Sequence, residues 1–391
     1  MRVGSVRWTA AGGWAGELPD LDSAATLVLV LLGPETDLGA VPLAEVAAAY
    51  PTSLVTGCST AGVADGPTLL DDGVLVLVCA FERTRVLLRP ARQSAERSHA
   101  VGQALTAGLH ADAAAAGTDL RAVLVICDGL DVVGNAFAQG LASGAAGVPV
   151  FGGMSALMPG PGGTIRAPWT VLDGALQRGV AVAVGLCGDH VTLTCGTGGG
   201  WDELGPPRTA TRSSGAELLE IDGQPALDLY RRYLGVEAEG LPGSGLRFPL
   251  LLRRPGEQQS ALVRSVRSFD EGTRAIGLTG DVPEGAVVQL LHQNSEAMVD
   301  AAQDAARAAA AGAGPAHVAD GALALVVSCL GRRLALGARV EDELEPVALE
   351  LGPGTVVAGF YGYGELAPTP ARSCDLHNQT VAVGAISEWT W

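Results

Sequence analysis

The residues most able to do chemistry in the N-terminal half lie in the segment Thr56–Ala64, TGCSTAGVA, which follows a strand-like run. Cys58, Ser59 and Thr60 stand side by side there between two glycines. A cysteine on a sharp turn can serve as a nucleophile, whereas a small polar turn can line a pocket that only holds a ligand. The spacing of the neighbouring residues decides part of this question.

That spacing argues against a hydrolase nucleophile elbow, which has the pattern G-x-S-x-G and leads into a helix. Gly57 and Gly62 lie one and four residues from Cys58, and a loop and a strand follow. An enzyme that pairs Cys58 with His377 remains an alternative, because spatial neighbours cannot be read from sequence. Two further interpretations stay open: a turn whose hydroxyl groups bond to nearby backbone, and a turn that lines a ligand site.

The C-terminal part carries denser polar chemistry in three short segments, SCLGRR, GFYGYGELAP and CDLHNQT. The candidate ligand-binding residues there are Arg332, Tyr361, Tyr363, Glu365, His377 and Asn378. An arginine and a glutamate that face one cavity would suit a zwitterion such as an amino acid, with guanidinium on carboxylate and carboxylate on ammonium. A structural Arg–Glu pair that joins the last strands is the equally open alternative.

The sequence contains no recognisable metal or nucleotide motif. None of its six histidines stands at i, i+4 from another or beside a cysteine at ligand spacing. A single axial haem ligand has no spacing to test, so haem stays open as a cofactor. Gly196–Trp201, GTGGGW, departs from the dinucleotide pattern G-x-G-x-x-G and predicts a loop at the exit of a strand.

Composition excludes several classes of function. The net charge of the 391 residues is −17, which disfavours nucleic acids and anionic lipid surfaces as partners. All 25 basic residues are arginine, so chemistry that needs a lysine is excluded. With 48% hydrophobic and 17% charged residues, the chain is globular rather than disordered.

The same sequence predicts a cytoplasmic protein that does not insert into membranes. No apolar run approaches the 18 or more residues of a membrane helix, and the N-terminus has no apolar signal-peptide core. The seven cysteines are scattered, form no C-x-x-C pair and are expected to be reduced thiols.

Short β-rich runs alternate with alanine-rich stretches, which predicts an α/β fold of two modules with mixed sheets flanked by helices. The predicted helices are Pro42–Ala49, Ser94–Ala115, Asn135–Ser143, Pro225–Leu234 and Glu296–Ala311. The segment Gly235–Pro249, rich in glycine, proline and glutamate, is predicted to be a linker or crossing segment.

A loose internal repeat runs through the chain, with the order strand, helix, short strand, glycine-rich turn and strand. Its copies centre on Gly57, Gly152 and Gly359. A turn used repeatedly at one architectural place predicts loops that converge on cavities rather than a catalytic turn. The second copy adds Gly153 and Ser155 to the candidate ligand-lining residues.

These motifs resemble the FIST family, named for F-box and intracellular signal transduction proteins, over nearly the whole chain. The N-terminal module, expected over residues 24–221, resembles it in GCSTAG, FGGMSA and the segment Gly205–Gly235; the C-terminal module, expected over 222–391, resembles it in SCLGRRLALG, GFYGYGELAP and LHNQT. One departure is Val63, where relatives commonly carry a glutamate after GCSTAG.

The resemblance implies a sensory, ligand-binding protein rather than an established enzyme. Family members have been proposed to bind small molecules such as amino acids, and some bacterial members bind haem and respond to nitric oxide. Relatives also occur fused to signalling output modules, which this chain has no length to hold. We therefore expect a stand-alone sensor of an amino acid or similar small carboxylate that signals through a separate protein. A haem-based gas sensor, or an enzyme that uses Cys58, is the alternative.

Overall fold

The computed structural model describes residues 1–160, 166–241, 243–257, 261–313 and 321–389. The strands in chain order are β1 (Arg2–Thr9), β2 (Gly13–Trp14), β3 (Thr26–Leu32), β4 (Leu54–Ser59), β5 (Val63–Asp65), β6 (Thr68–Leu70), β7 (Val74–Ala80), β8 (Arg85–Arg92), β9 (Leu120–Cys127), β10 (Val150–Met154), β11 (Thr170–Leu172), β12 (Ala175–Gln177), β13 (Val180–Cys187), β14 (Val191–Gly198), β15 (Trp201–Ser214), β16 (Glu217–Ile221), β17 (Gln224–Pro225), β18 (Leu250–Arg253), β19 (Ala261–Arg264), β20 (Val266–Asp270), β21 (Ala275–Leu278), β22 (Val287–Gln293), β23 (Ala322–Cys329), β24 (Thr355–Gly362), β25 (Glu365–Thr369), β26 (Arg372–His377) and β27 (Val381–Glu388). The α-helices are α1 (Leu43–Ala49), α2 (Ser98–Ala115), α3 (Gly134–Gly144), α4 (Ala226–Leu234), α5 (Ser295–Ala313), α6 (Leu330–Leu336) and α7 (Val340–Leu351). The predicted α/β fold with mixed sheets flanked by helices is confirmed.

Of the four sheets that the described residues form, three are built from one repeated unit. In each unit two parallel strands are joined through a helical connection, and a later strand returns antiparallel beside the first. The three sets are β3, β4 and β7; β9, β10 and β13; and β23, β24 and β27. A leading strand (β1, β8 or β14) extends each set on the outer side of its last strand. The repeat is confirmed, with the three copies that the sequence predicted.

Each unit also contributes a hairpin that completes the sheet of another unit. The hairpin β5–β6 of the first unit pairs with β24 of the third, β11–β12 of the second pairs with β4 of the first, and β25–β26 of the third pairs with β10 of the second. The exchange is therefore cyclic, and each sheet contains strands from two units.

Equivalent glycines explain why the repeat can be read from the sequence. In each unit a glycine of the second strand lies opposite a valine of the first; the pairs are Gly57–Val30, Gly152–Val125 and Gly359–Val326. A Cβ atom on these glycines would stand only 1.9, 1.9 and 1.8 Å from the carbonyl oxygen of the paired valine. Since any side chain would collide with the backbone there, each unit needs a glycine at this place.

The three sheets enclose a common apolar core, and helices cover their outer faces. Alternation along β3 shows the arrangement: Leu27, Leu29 and Leu31 lie in the central core, whereas Val28 and Val30 pack under α1. Helices α2 and α3 cover the second sheet, and α5 to α7 cover the third. Burial on both faces accounts for the continuous apolar runs in the sequence.

An eight-stranded sheet, β15–β22, with α4 and its own apolar core, is inserted between β14 and α5. We call it the inserted subdomain. The predicted linker forms two short 3-10 helices there, Gly235–Gly240 and Gly243–Arg247, between α4 and β18. The predicted boundary between residues 221 and 222 lies at the end of β16, inside this subdomain, and the module boundaries remain a prediction.

Candidate functional site

A cavity of about 220 Å³ lies where the inserted subdomain meets the third sheet. One wall is the glycine-rich segment Thr197–Trp201, which leads from β14 into the subdomain. A second is formed by His377, the last residue of β26, and by Thr380, which follows that strand. The subdomain contributes Glu203, Arg253, Leu251, Ala261, Val263 and Leu291. The cavity therefore combines apolar walls with a few charged and polar groups, as small-molecule sites do.

The two charged side chains of opposite sign in the cavity stand close to each other. Nη2 of Arg253 lies 3.9 Å from Oε1 of Glu203, and their side chains are 33% and 56% exposed. At this distance and exposure the mutual attraction is weak, so both groups remain able to bind a ligand.

The segment 377–380 is held against the cavity by bonds that its backbone makes. Gln379, with φ of +56°, accepts a hydrogen bond at its carbonyl from Trp201 Nε1 at 2.8 Å.

Burial lowers the pKa of His377 to about 4, so its imidazole is neutral at neutral pH. Its Nε2 lies 3.3 Å from the carbonyl oxygen of Ala367.

Glu365 lies fully buried beneath this segment. Its Oε2 accepts hydrogen bonds from the Thr380 hydroxyl at 2.6 Å and the Thr380 amide at 3.2 Å. Desolvation raises its pKa to about 8, because the charged form would be far from water. On the paired strands β25 and β26, Glu365 stands directly opposite His377.

Arg332 is also fully buried, and its partner is Glu343 rather than Glu365. Its Nε lies 2.7 Å from Glu343 Oε1, and the Tyr361 hydroxyl donates to the other carboxylate oxygen at 2.9 Å. The remaining nitrogens donate to the carbonyls of Gly199 and Met298. Arg332 thus stands behind the cavity wall and fixes the loop that contains Gly199. Sequence reasoning missed Glu343 because it did not predict α7.

Two buried arginines attach the inserted subdomain to β26. Arg254 makes two hydrogen bonds to Asp375, at 2.6 and 2.9 Å. Arg264 donates to the Leu376 carbonyl at 3.0 Å and to Asn378 Oδ1 at 3.3 Å. Asn378, one of the predicted ligand residues, therefore serves this attachment.

The structure places the predicted turn of the first unit in the interior. Cys58 is fully buried in the central core, and desolvation raises its thiol pKa well above the usual range, which opposes a role as a nucleophile. Ser59 Oγ donates to Ala156 at 3.1 Å and accepts from the Trp169 amide at 2.8 Å. Thr60 Oγ1 donates to the Leu32 carbonyl at 2.9 Å. Both hydroxyls satisfy backbone groups, one of the interpretations that the sequence left open.

The remaining predicted residues are not among those that line the cavity. Gly153 packs against Val327, and Ser155 is buried with its hydroxyl oxygen unpaired among the described residues. The Tyr363 hydroxyl donates to the Leu157 carbonyl at 2.9 Å. Of the eleven predicted residues, His377 alone lines this cavity within the described ranges.

Val63 and Glu365 occupy equivalent places in the repeat. Val63 pairs with Phe360, which directly follows Gly359. Glu365 pairs with Gly153, which directly follows Gly152, the equivalent glycine of the second unit. Val63 is buried in the central core, so the absence of a glutamate there leaves the cavity unchanged.

A haem in this cavity would need an axial ligand among the residues that line it. His377, the only one of the described histidines on its lining, is nearly buried against Ala367. Within the described ranges no three potential ligand side chains are grouped to hold a metal ion, and no helix is long and apolar enough to cross a membrane.

Comparison with protein-family models identifies the family of this chain. A model of the FIST N domain matches residues 26–224, and a model of the FIST C domain matches residues 226–368. A search of curated proteins finds no match to the chain. FIST domains are associated with signal transduction and the sensing of small ligands. Because the two models together match most of its length, this chain belongs to the FIST family.

Proposed function

We propose that this chain is a cytoplasmic sensory protein that binds an amino acid or a similar small carboxylate in the cavity between the inserted subdomain and the third sheet. A separate signalling protein then reads the occupied state. The observation that carries the proposal is the presence of Arg253 and Glu203 on one small cavity.

The charges suit a zwitterion. A guanidinium binds a carboxylate through paired N–H groups, and a carboxylate binds an ammonium group. Arg253 and Glu203 stand 3.9 Å apart, so adjacent acidic and basic groups of one small molecule can reach both. The sequence suggested this type of recognition for Arg332 and Glu365, but a different arginine and glutamate meet the requirement at the cavity.

The position of the cavity supports a role in signalling. Its walls belong to different structural parts: Trp201 and Arg253 to the inserted subdomain, and His377 and Thr380 to the end of β26 and the segment that follows it. A ligand that contacts both parts binds best in one relative arrangement of them and shifts the population towards it. A partner protein that contacts both parts can recognise that arrangement.

A thermal-shift screen of the common amino acids tests the proposal. At a hundred times its dissociation constant, a ligand specific for the folded state adds about 2.7 kcal/mol of stability. Analogues that lack either the amino or the carboxyl group should give smaller shifts, since each loses one of the two charged contacts.

The variants Arg253→Gln and Glu203→Gln test whether the ligand binds in this cavity. Both side chains are partly exposed, so we expect stability without ligand to change by less than about 1 kcal/mol. Each variant should lose the ligand-induced shift. Arg231→Gln, which breaks an exposed pair with Glu271 elsewhere in the subdomain, is the matched control and should keep it. A ligand that stabilises both cavity variants as fully as the wild type would show that it binds elsewhere.

A further inference from the structure

Glu365 is separated from the cavity by a single side chain. Thr380 lines the cavity, and its hydroxyl hydrogen is committed to Glu365 Oε2 at 2.6 Å. The hydroxyl oxygen of Thr380 can therefore offer only acceptor lone pairs to a molecule in the cavity. A group that donates hydrogen bonds, such as an ammonium, fits this arrangement.

The second carboxyl oxygen of Glu365 lacks a strong hydrogen-bond donor. Oε1 is buried and makes no hydrogen bond of good geometry among the described residues, and its neighbour Cys329 offers only a weakly donating thiol. A carboxylate in this place would be a buried charge whose burial costs more than the Thr380 bonds and the Arg332 charge return. The fully buried group is instead stabilised in its neutral form.

Among the charged and titratable groups around Glu365, Arg332 supplies the positive charge, which favours the carboxylate less than burial opposes it. Cys329, on β23, lies beside it, and burial raises the pKa of that thiol, so it stays neutral. Arg332, on α6, is committed to Glu343. His377, opposite on β26, is neutral because burial lowers its pKa.

The other strands packed against β25 lack a cation there. On β10, glycines occupy the paired positions, and β14 carries the Cys195 thiol, whose pKa is raised by burial. Thr380, at the start of β27, is uncharged. Positive charge beyond that of Arg332 must therefore come from outside the described protein groups.

Building on the proposed ligand site, we propose that Glu365 is a positioning residue whose carboxyl group gives up its proton to the solvent when a ligand with an ammonium group enters the cavity. The resulting carboxylate holds the cationic group through the Thr380 hydroxyl. Binding is then coupled to the release of a proton, and the cavity favours amines over neutral molecules of the same shape. A nearby positive charge favours the ionised form of a carboxyl group, which supplies the driving force.

In the protein without ligand, the Glu365 carboxyl group holds a proton that it can release near neutral pH. Its pKa of about 8 keeps most of Glu365 protonated at pH 7, so the proton is available for release. At pH 9.5 most molecules have already lost it, so Glu365 itself should release almost none on ligand binding, and any net proton change comes from the amino group of the ligand.

Isothermal titration calorimetry measures the proton directly. The probe is the amino acid that gives the largest thermal shift in the screen above, titrated at pH 7 in buffers with different enthalpies of ionisation. The dependence of the observed heat on the buffer enthalpy counts the protons released. We expect between about half a proton and one proton per bound amino acid for the wild type.

Glu365→Gln should abolish this dependence while binding persists, weakened about ten- to a hundred-fold. Thr380→Val should weaken binding and reduce proton release, because it removes the connecting hydroxyl. Glu203→Gln is the contrast: it removes a direct contact but leaves Glu365 in place, so any residual binding should still release a proton.

The outcomes separate this inference from the proposed function. If no amino acid binds, the ligand site itself is refuted. If the probe binds wild type without proton release, or if Glu365→Gln releases as many protons as wild type, the ligand site stands and the role of Glu365 is refuted. Infrared spectra of the free protein add an independent check: a protonated carboxyl band that Glu365→Gln lacks should disappear as the pH rises through 8.

Discussion

The guanidinium of Arg332 and the carboxylate of Glu343 form an ion pair with no exposure to solvent, with Nε and Oε1 2.7 Å apart. Removal of one member of such a pair leaves an uncompensated buried charge. We expect Arg332→Ala to lower the free energy of unfolding by about 3–5 kcal/mol in urea denaturation. Arg332→Met combined with Glu343→Leu should recover part of this loss, because no charge remains buried.

Arg339 provides the comparison, because it pairs with Glu296 at the surface, where the two side chains are 44% and 75% exposed, respectively. Arg339→Ala should leave the free energy of unfolding nearly unchanged. Equal effects of the two substitutions would contradict the buried pair.

The equivalent glycines predict a uniform response to substitution. Gly57→Ala, Gly152→Ala and Gly359→Ala each place a Cβ within 1.9 Å of a backbone carbonyl oxygen. Because backbone atoms in a central strand cannot move aside cheaply, each variant should be strongly destabilised or fail to accumulate as folded protein. Gly16→Ala, where the nearest atom is 4.0 Å away on the Val6 side chain, should behave like wild type. Circular dichroism melts decide the matter, and a well-folded variant at any of the three positions would show that the repeat geometry is wrong there.

Cys58 should react slowly with alkylating agents in the native protein. The thiol is fully buried and its pKa is raised by desolvation, so little thiolate is present or accessible. Cys195, which is partly exposed, should be modified earlier. Peptide mapping after timed iodoacetamide treatment measures both rates. Rapid and selective labelling of Cys58 at neutral pH would restore the nucleophile hypothesis.

His377 should stabilise the protein on the neutral side of its titration. Its pKa falls from 6.5 to about 4 on folding, so the unfolded chain binds the proton more readily. The contribution of His377 is therefore complete above pH 6.5 and is lost as the pH falls through 4. Urea titrations across this range should show a shallower acid dependence for His377→Gln than for wild type.

The pH dependence of stability that Glu365 contributes should be opposite to that of His377. Its pKa rises from 4.5 to about 8 on folding, so its contribution to stability is complete below pH 4.5 and is lost as the pH rises through 8. Glu365→Gln, which cannot ionise, should therefore gain stability relative to wild type as the pH increases across this window. A constant difference between the two proteins would show that the carboxyl group is already ionised when buried.

The sequence was most informative where the backbone itself imposes a residue type. The recurrent glycines are legible because a side chain at Gly57 or Gly359 would collide with the paired strand. The helix α7 was missed because Pro346 interrupts its pattern, although the acidic residues of its first turn are typical of a helix N-terminus. Burial of the Glu343 carboxylate could not be foreseen without that helix.

The cavity could not be predicted from sequence patterns. Glu203 lies near the start of β15 and Arg253 at the end of β18, and these strands are neighbours only through β22. Long-range strand pairing of this kind leaves no local signature. His377 was found because it lies in a polar segment that follows a buried strand, whereas Arg253 and Glu203 stand among residues typical of any surface strand.

The cyclic exchange of hairpins has a consequence for how long the native state lasts. Ala64 pairs with Gly359, near the other end of the chain, so no sheet is complete until distant parts of the sequence have met. Contacts of such large sequence separation slow folding, because the ordering of the chain precedes the gain from pairing. Once formed, each unit is held by the hairpin that it receives and by the one that it gives. Opening one sheet disturbs the next, so we expect the folded protein to be long-lived and resistant to proteolysis as a whole rather than module by module.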